Sequence, residues 1–262
     1  MKDLAELWLT VFAFDAARYL LGAGSVSLVL FGLFRHFSST RKIQARRAKP
    51  SDVRREIFYS LLTVGVYATV ALVTVQLDRS GILQYYGNAS NHSLAYTIIS
   101  LPVLLILHDA YFYWAHRLMH HKALFRTFHL AHHRSHTPTP WAAYAFAPGE
   151  AFLMALFVPL AAFIMPIHHV VLFIFLAIMI VRNAMGHSGV EFHPRGWVDG
   201  PFDIFTSVTH HDLHHQRARG NYGLYFTWWD RMMGTEFEDY REQFQRAVNG
   251  EDKNTRAIEV TA

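Results

Sequence analysis

Apolar residues dominate five long segments, which polar residues separate and then replace in the last third of the chain. The apolar segments cover 4–34, 57–77, 94–114, 142–165 and 167–185. A helix of about 20 apolar residues is long enough to cross the hydrocarbon core of a bilayer. The last two segments meet at Pro166, which favours a helical hairpin. The pattern therefore predicts an all-α fold, a polytopic membrane helical bundle.

Charged residues are scarce, and their placement predicts how this bundle is oriented. They make up 17% of the chain and hydrophobic residues 52%, whereas an average globular protein has about a quarter charged residues. The net charge of +4 comes with a basic stretch at 35–55, directly beside apolar segments. A topology signal explains this stretch better than nucleic-acid binding does, and the positive-inside rule assigns it to the cytoplasm. Counting spans from there brings the histidine clusters to the cytoplasmic face.

Histidine is frequent, with 18 residues, and many of them fall into three spaced clusters. The clusters are His116-x3-His120, His129-x2-His132-His133 and His211-x2-His214-His215. Spacings of three and four residues put side chains on one helical face, and neutral imidazole is a common ligand of iron, zinc and copper. The first cluster is explained equally well as a polar stripe where a helix leaves the bilayer. The other two, with three histidines in five residues, favour metal ligands.

The number of candidate ligands suggests two metal ions in a helical cap on the membrane bundle. His187 follows the fifth apolar segment and brings the candidate imidazoles to nine, whereas one ion takes about four to six ligands. Asp109 and Asp212 are the candidate carboxylates that would accept a ring N–H and so fix the tautomer of a ligand. Four further histidines have no assigned role: His108, His136, His193 and His210.

Several kinds of protein could carry such a site. A chain without cysteine cannot hold an iron–sulfur cluster or a haem thiolate through its own residues. A membrane zinc-dependent hydrolase would be expected to show His-Glu-x-x-His, but Arg117 follows His116. A histidine-rich metal transporter would need polar residues at mid-span, and beyond Asp15 and Arg18, which are one turn apart and able to pair, the spans have few. Iron with open positions reacts with O2, so oxidation of a lipid C–H bond is the favoured function.

The clusters and their surroundings resemble the histidine boxes of the fatty acid hydroxylase / sterol desaturase superfamily. The first box is similar to His108-Asp-Ala-Tyr-Phe-Tyr-Trp-Ala-His116-Arg-Leu-Met-His120, and the second to His129-Leu-Ala-His132-His133-Arg-Ser-His136. The third resembles His211-Asp-Leu-His214-His215 with Asn221-Tyr222-Gly223 and Trp229-Asp230-Arg231 after it. The resemblance predicts a catalytic domain at 100–237, between N-terminal spans at 1–99 and a charged tail at 238–262, which we expect to be a solvated helix with a frayed end.

This resemblance implies a non-haem di-iron enzyme that uses O2 and two external electrons to hydroxylate or desaturate a lipid or sterol. Zinc would be able to replace iron in purified samples. The electrons would come from a ferredoxin or cytochrome b5-like donor. Where the family often has His-Pro-x-Glu, this chain has Ala147-Pro148-Gly149-Glu150, so Glu150 is expected to line the site without being a ligand. The ligands implied by position are His116, His120, His129, His132, His133, His187, His211, His214 and His215.

Overall fold

Four long helices form the body of the fold. The structure is a computed structural model that describes residues 3–88 and 91–251. The long helices are α1 (Leu4–Ser27, continued by a π-helical turn at Leu28–Leu33), α3 (Pro50–Arg79), α4 (Leu94–Met119) and α9 (His169–Gly186). Each is long and apolar enough to cross a membrane. Only 22–33% of the most apolar stretch of each helix is buried, so most of this apolar surface faces outward, as lipid contact requires.

The prediction of a single helix over 142–165 is wrong. This segment contains a 3₁₀ turn at Pro140–Tyr144 and two short helices, α7 (Pro148–Ala155) and α8 (Phe157–Ile164). Proline lacks the N–H that would bond to the carbonyl four residues earlier. Pro159 therefore cannot continue the hydrogen-bond ladder from Ala155, where α7 ends before α8 begins at Phe157.

The loops that connect the long helices lie at the two opposite ends of the bundle. At one end, β1 (Tyr85–Tyr86) pairs in parallel with β2 (Ile167–His168), which joins the loop after α3 to the turn before α9. At the other end, Gln44 of the basic stretch donates to Asp212 at 3.0 Å, and Arg55 donates to the Arg134 carbonyl at 3.1 Å. The basic stretch and the histidine clusters therefore share one end, as the topology argument expects. The identity of the compartment stays a prediction.

Short helices form a cap over the histidine end. They are α2 (Arg35–Thr40), α5 (Lys122–Phe128), α6 (Leu130–His133), α10 (Val208–Arg217), α11 (Trp228–Met232) and α12 (Tyr240–Asn249). The expectation of a solvated C-terminal helix is wrong for α12. Its Tyr240, Phe244 and Val248 are buried against Val198 and Leu213, because its apolar residues recur at helical spacing. The predicted frayed end, 252–262, lies outside the described residues.

Candidate metal centre

The structure brings all nine predicted ligand histidines together, in two adjacent groups. Within each group, one candidate ligand atom of every residue lies within 4.8 Å of the others. The first group is His116, His120, His129, His133 and His214; the second group is His132, His187, His211 and His215. The assignment of these residues as ligands stays a prediction, and the geometry gives its chemical basis.

Ring nitrogens of the first group point toward a common centre. His133 Nε2 lies 3.2 Å from His120 Nε2 and 3.0 Å from His214 Nε2. The Nε2 atoms of His116 and His129 are buried there without a hydrogen-bond partner among the described residues. Ring nitrogens without a proton can only accept, so a cation between them would satisfy all of these nitrogens at once.

The second group has the same arrangement. His187 Nε2 lies 3.3 Å from His132 Nε2 and 3.0 Å from His211 Nε2. His215 Nε2 lies 3.2 Å from His211 Nε2. Two nitrogens held about 2.0–2.1 Å from one ion lie about 2.9 Å apart at a right angle and about 3.3–3.4 Å apart at the tetrahedral angle. The five separations given above, 3.0–3.3 Å, fall in this range, so the nitrogens that they join could bind one metal ion in each group.

Two pairs of consecutive residues serve both groups. On α6, His133 belongs to the first group and His132 to the second; on α10, His214 and His215 are divided in the same way. Successive residues of a helix point about 100° apart, so one helical turn can reach two neighbouring centres. The rings of His133 and His215, one from each group, are stacked with centroids 5.0 Å apart. The two groups are therefore direct neighbours.

Local sequence explains why α10 presents its histidines inward. Ser207 caps the helix by accepting from the His210 N–H at 3.2 Å, and Ala218, with φ of 53°, ends it. Thr209 is held through its N–H and hydroxyl by Glu191 Oε2, at 2.8 and 2.7 Å. These contacts fix the rotation of α10 about its axis, which decides where its imidazoles point.

The outer nitrogens of several rings are held by backbone carbonyls. His116 Nδ1 lies 2.9 Å from the Tyr222 carbonyl, His214 Nδ1 lies 2.8 Å from that of Gly220, and His187 Nδ1 lies 2.7 Å from that of Asn183. A carbonyl only accepts, so the proton sits on Nδ1 and leaves Nε2 free to bind a metal. At His129, Nδ1 lies 2.8 Å from Glu150 Oε1, an ion-pair distance without the geometry of a hydrogen bond. Glu150 therefore lies beside the first group of histidines, and its exclusion from the ligands stays a prediction.

Burial disfavours the protonated form of the candidate ligands outside the membrane-spanning helices. It lowers the pKa of His120 to about 3 and that of His187 to about 4. Burial, together with neighbouring imidazoles, also lowers the pKa of six further candidate ligands well below its usual range: His129, His132, His133, His211, His214 and His215. Neutral imidazole is the form that binds a metal ion.

The roles expected for Asp109 and Asp212 stay predictions, but the structure gives contacts of both carboxylates. The carboxylate of Asp109 accepts the N–H groups of Tyr225 at 2.8 Å and Phe226 at 3.2 Å, and the indole N–H of Trp228 at 3.0 Å. Asp109 therefore holds the 225–228 segment rather than an imidazole. The ring N–H of His116, which Asp109 was expected to accept, lies against the Tyr222 carbonyl instead. Asp212 accepts from Gln44 at 3.0 Å and from Gln216 at 2.6 Å, so it ties the basic stretch to α10.

The four unassigned histidines lie outside both groups. His108 Nδ1 lies 3.0 Å from the Tyr225 hydroxyl, and His193 Nδ1 lies 2.6 Å from Glu191 Oε1. His210 Nε2 lies 3.4 Å from Asp230 Oδ2, and the carbonyl of His136 accepts from Gln44 at 2.8 Å. All four therefore contact residues that belong to neither group of histidines.

Asp230 is a residue of the centre that sequence reasoning did not single out. Its carboxylate accepts the N–H groups of Tyr222 and Gly223, both at 2.8 Å, and the Thr235 hydroxyl at 2.7 Å. It thereby fixes the loop whose carbonyls hold His116 and His214. The only sequence signal was its place in the Trp229-Asp230-Arg231 segment that the resemblance covers.

An apolar chamber of about 440 Å³ leads from the spans toward the centre. Residues of α1, α3, α4 and α9 line it, together with residues of α7 and α8. Among the lining residues, Phe146 has its ring 5.2 Å from that of His132, and Phe112 has its ring 5.1 Å from that of His116. One aromatic ring of the chamber wall therefore contacts each group of histidines.

Comparison with known proteins assigns this chain to a protein family. A family model described as fatty acid hydroxylase matches residues 101–235, just over half of the chain. A Delta(7)-sterol 5(6)-desaturase of Aspergillus fumigatus is 29% identical over 82% of this chain and 72% of its own length. Another from Gibberella zeae is 29% identical over 94% of this chain and 67% of its own length. Lathosterol oxidase of Homo sapiens is 29% identical over 71% of this chain and 61% of its own length.

No solved structure matches the chain. The resemblance found in the histidine boxes is confirmed by the family model, which covers all three of them. The four long apolar helices agree with the membrane location that the family implies. The chain is therefore a multi-pass membrane protein and an oxidoreductase of the fatty acid hydroxylase / sterol desaturase superfamily.

Proposed function

We propose that this protein uses two iron ions and O2 to hydroxylate or desaturate a C–H bond of a lipid or sterol. The observation that carries the proposal is the position of two all-histidine groups at the end of an apolar chamber between membrane helices. Bound iron would supply the reaction with O2 that breaks an unactivated C–H bond. The names of the relatives, sterol desaturases and a lathosterol oxidase, favour a sterol as the substrate.

The chain's own residues would bind, orient and dehydrate the substrate. The chamber walls remove apolar surface from water, which favours entry of a hydrocarbon skeleton from the membrane. Phe112 and Phe146 stand between the chamber and the histidine rings, where they would hold the reacting carbon and exclude water. The carbonyls of Tyr222, Gly220 and Asn183 would keep the ring protons on Nδ1 throughout the reaction.

Metal analysis with oxygen consumption tests this function. Protein purified rapidly from iron-supplied cells is expected to carry about two iron ions per chain, one for each group. With a reductase system and a Δ7-sterol it is expected to consume O2, and a chelator is expected to stop this consumption until iron is returned. Zinc held in cells with no substrate-dependent O2 uptake would instead favour a membrane zinc-dependent hydrolase. Metal flux through vesicles without any product would favour a transporter.

The electron donor would bind at the basic end of the bundle, which the positive-inside rule assigns to the cytoplasm. There, Arg35, Lys42 and Arg47 line a cavity of about 340 Å³ with Asp212 at its inner side. Asp212 immediately follows His211 of the second group. A ferredoxin or cytochrome b5-like protein with an acidic face would be steered to this basic surface.

The rate of reduction by such a donor is expected to fall steeply with salt. The screening length is about 10 Å at 0.1 M salt and about 3 Å at 1 M, so attraction between the two surfaces would be lost over this range. Stopped-flow reduction at increasing salt measures the effect. Substituting both Arg46 and Arg47, which are exposed, with Gln is expected to slow reduction several-fold at low salt. Arg79→Gln, an exposed arginine at the end of α3 next to the β1–β2 end of the bundle, is the control. Reduction that does not respond to salt would contradict this docking site.

A further inference from the structure

An ion pair lies near the middle of the first membrane helix. Asp15 and Arg18 are one turn apart on α1, with Arg18 Nη2 2.9 Å from Asp15 Oδ1, as the sequence predicted. Their side chains are only 11% and 10% exposed. Charged residues at this depth are costly and generally mark a functional site. The pair lies outside residues 101–235, which the family model matches.

Both residues face the apolar chamber, beside two tyrosines. Asp15, Arg18, Tyr67 and Tyr144 all line it. Arg18 uses Nη2 for the ion pair, whereas its Nε and Nη1 are buried without a hydrogen-bond partner within the part of the chain that the structure describes. The hydroxyl of Tyr144 is likewise buried without a hydrogen-bond partner among the described residues. A buried polar atom without a partner costs free energy, so this group of donors calls for a ligand that accepts from it.

This polar group and the metal centre belong to the same chamber. The ring of Tyr144 lies 6.2 Å from that of Phe146, and the ring of Phe146 lies 5.2 Å from that of His132. Tyr144 also stacks on Tyr19, 5.9 Å away, and Tyr19 donates to the Trp141 carbonyl at 2.8 Å. The polar group is therefore firmly positioned, with two aromatic contacts between it and the second group of histidines.

We propose that Asp15, Arg18 and Tyr144 bind the neutral hydroxyl group of the substrate, and that they select a lipid alcohol over a free fatty acid. Charge supports this choice. The ion pair has no net charge, so a hydroxyl can accept from Arg18 Nε or Nη1 and donate to a carboxylate oxygen of Asp15 without adding charge to the bilayer. A carboxylate would add a negative charge beside Asp15, which the apolar chamber disfavours.

The inference rests on the proposed lipid oxidation, whose substrate it narrows to an alcohol. A sterol and a long-chain alcohol share this chemistry. Binding is therefore measured directly, on the full chain in nanodiscs, under argon and without reductant, so that no turnover is needed. Tritiated cholestanol is the probe, and the competitors are cholestane, octadecanol and octadecanoic acid.

The wild-type protein is expected to bind cholestanol roughly tenfold to a hundredfold more tightly than cholestane, as for a hydrogen bond to a charged group. Octadecanol is expected to compete better than octadecanoic acid. If cholestanol binds more tightly than octadecanol, the preferred alcohol is a sterol. If octadecanol binds more tightly, the preferred alcohol is a long-chain lipid. Either ranking supports the proposal. Equal binding of cholestane and cholestanol, or tighter binding of the acid, would overturn it.

A paired substitution keeps the test independent of folding. Asp15→Leu with Arg18→Met removes both charges together, and such replacements of a buried ion pair are commonly tolerated. This double variant is expected to lose the preference for cholestanol over cholestane while keeping its iron content. Tyr144→Phe is expected to lose only a part of the preference. Arg54→Met, an exposed arginine outside the chamber, is the matched control.

Binding and turnover separate the two proposals. A double variant that keeps the full preference for cholestanol would overturn the hydroxyl site even if the wild-type protein oxidises a sterol. A wild-type protein that binds cholestanol through Arg18 but never consumes O2 would overturn the proposed oxidation and leave the hydroxyl site standing.

Discussion

Single substitution of one histidine from either group is expected to abolish oxidation. His214→Ala removes a nitrogen from the first group, and His211→Ala removes one from the second. Because the two ions would act as a unit, each single variant is expected to lose at least roughly a thousandfold in turnover, and the double variant little more. Each single variant is also expected to hold about one iron ion per chain instead of two. Metal analysis and O2 consumption measure these effects.

The control for these variants is His121→Asn. His121 is exposed, directly follows His120, and accepts from the Ala123 N–H at 3.4 Å, a contact that asparagine can replace. This variant is expected to keep both iron ions and full activity. Additive losses in the double variant, or full activity in either single variant, would contradict a centre in which the two groups work together.

Gly220→Ala is expected to have the second largest effect, by displacing the loop that holds two ligand rings. Gly220 has φ of 99°, and a Cβ there would lie 2.5 Å from the carbonyl oxygen of Thr235. The backbone must therefore move, and with it the Gly220 carbonyl that lies 2.8 Å from His214 Nδ1. We expect weaker iron binding, by about tenfold to a hundredfold, and a lower temperature of thermal unfolding.

Gly234→Ala separates the free-energy cost of the left-handed backbone conformation from that of the steric clash expected in Gly220→Ala. Gly234 also has positive φ, 64°, but a Cβ there would meet nothing within 4 Å. This variant pays only the strain of the left-handed region, about 1–2 kcal/mol, and is expected to keep its iron affinity. Iron titration followed by thermal unfolding in detergent compares the two variants. Equal iron affinity in both would show that the loop does not position His214.

The meeting of the nine histidines was predictable because helical spacing is local information. The spacing in a cluster such as His129-x2-His132-His133 indicates which side chains share a helical turn. The order of the spans indicates at which end of the bundle the cluster lies. The pairing of Asp15 with Arg18, one turn apart, was predictable for the same reason and is confirmed at 2.9 Å. Long-range contacts are not encoded in this way. The bond from Asp109 to the Tyr225 N–H joins residues 116 positions apart, and only the path of the intervening chain decides it.

The break in the 142–165 segment has a different cause. Its hydropathy suits a membrane helix, and hydropathy does not record where the backbone hydrogen-bond ladder stops. Pro148 and Pro159 carry that information, because proline begins a helix readily and interrupts one it lies within. The shortened helices leave Tyr144 and Phe146 outside regular helix, where both rings reach the chamber.

The buried ring nitrogens of His116 and His129 would also link the amount of this protein in the cell to its metal supply. Without a metal ion, these atoms lose water on folding and gain no partner from the described residues in return. Binding of metal to such a site adds directly to the free energy of folding. A cell short of iron would therefore hold more unfolded chain, which proteases remove. The amount of this protein, and not only its activity, is then expected to follow iron supply.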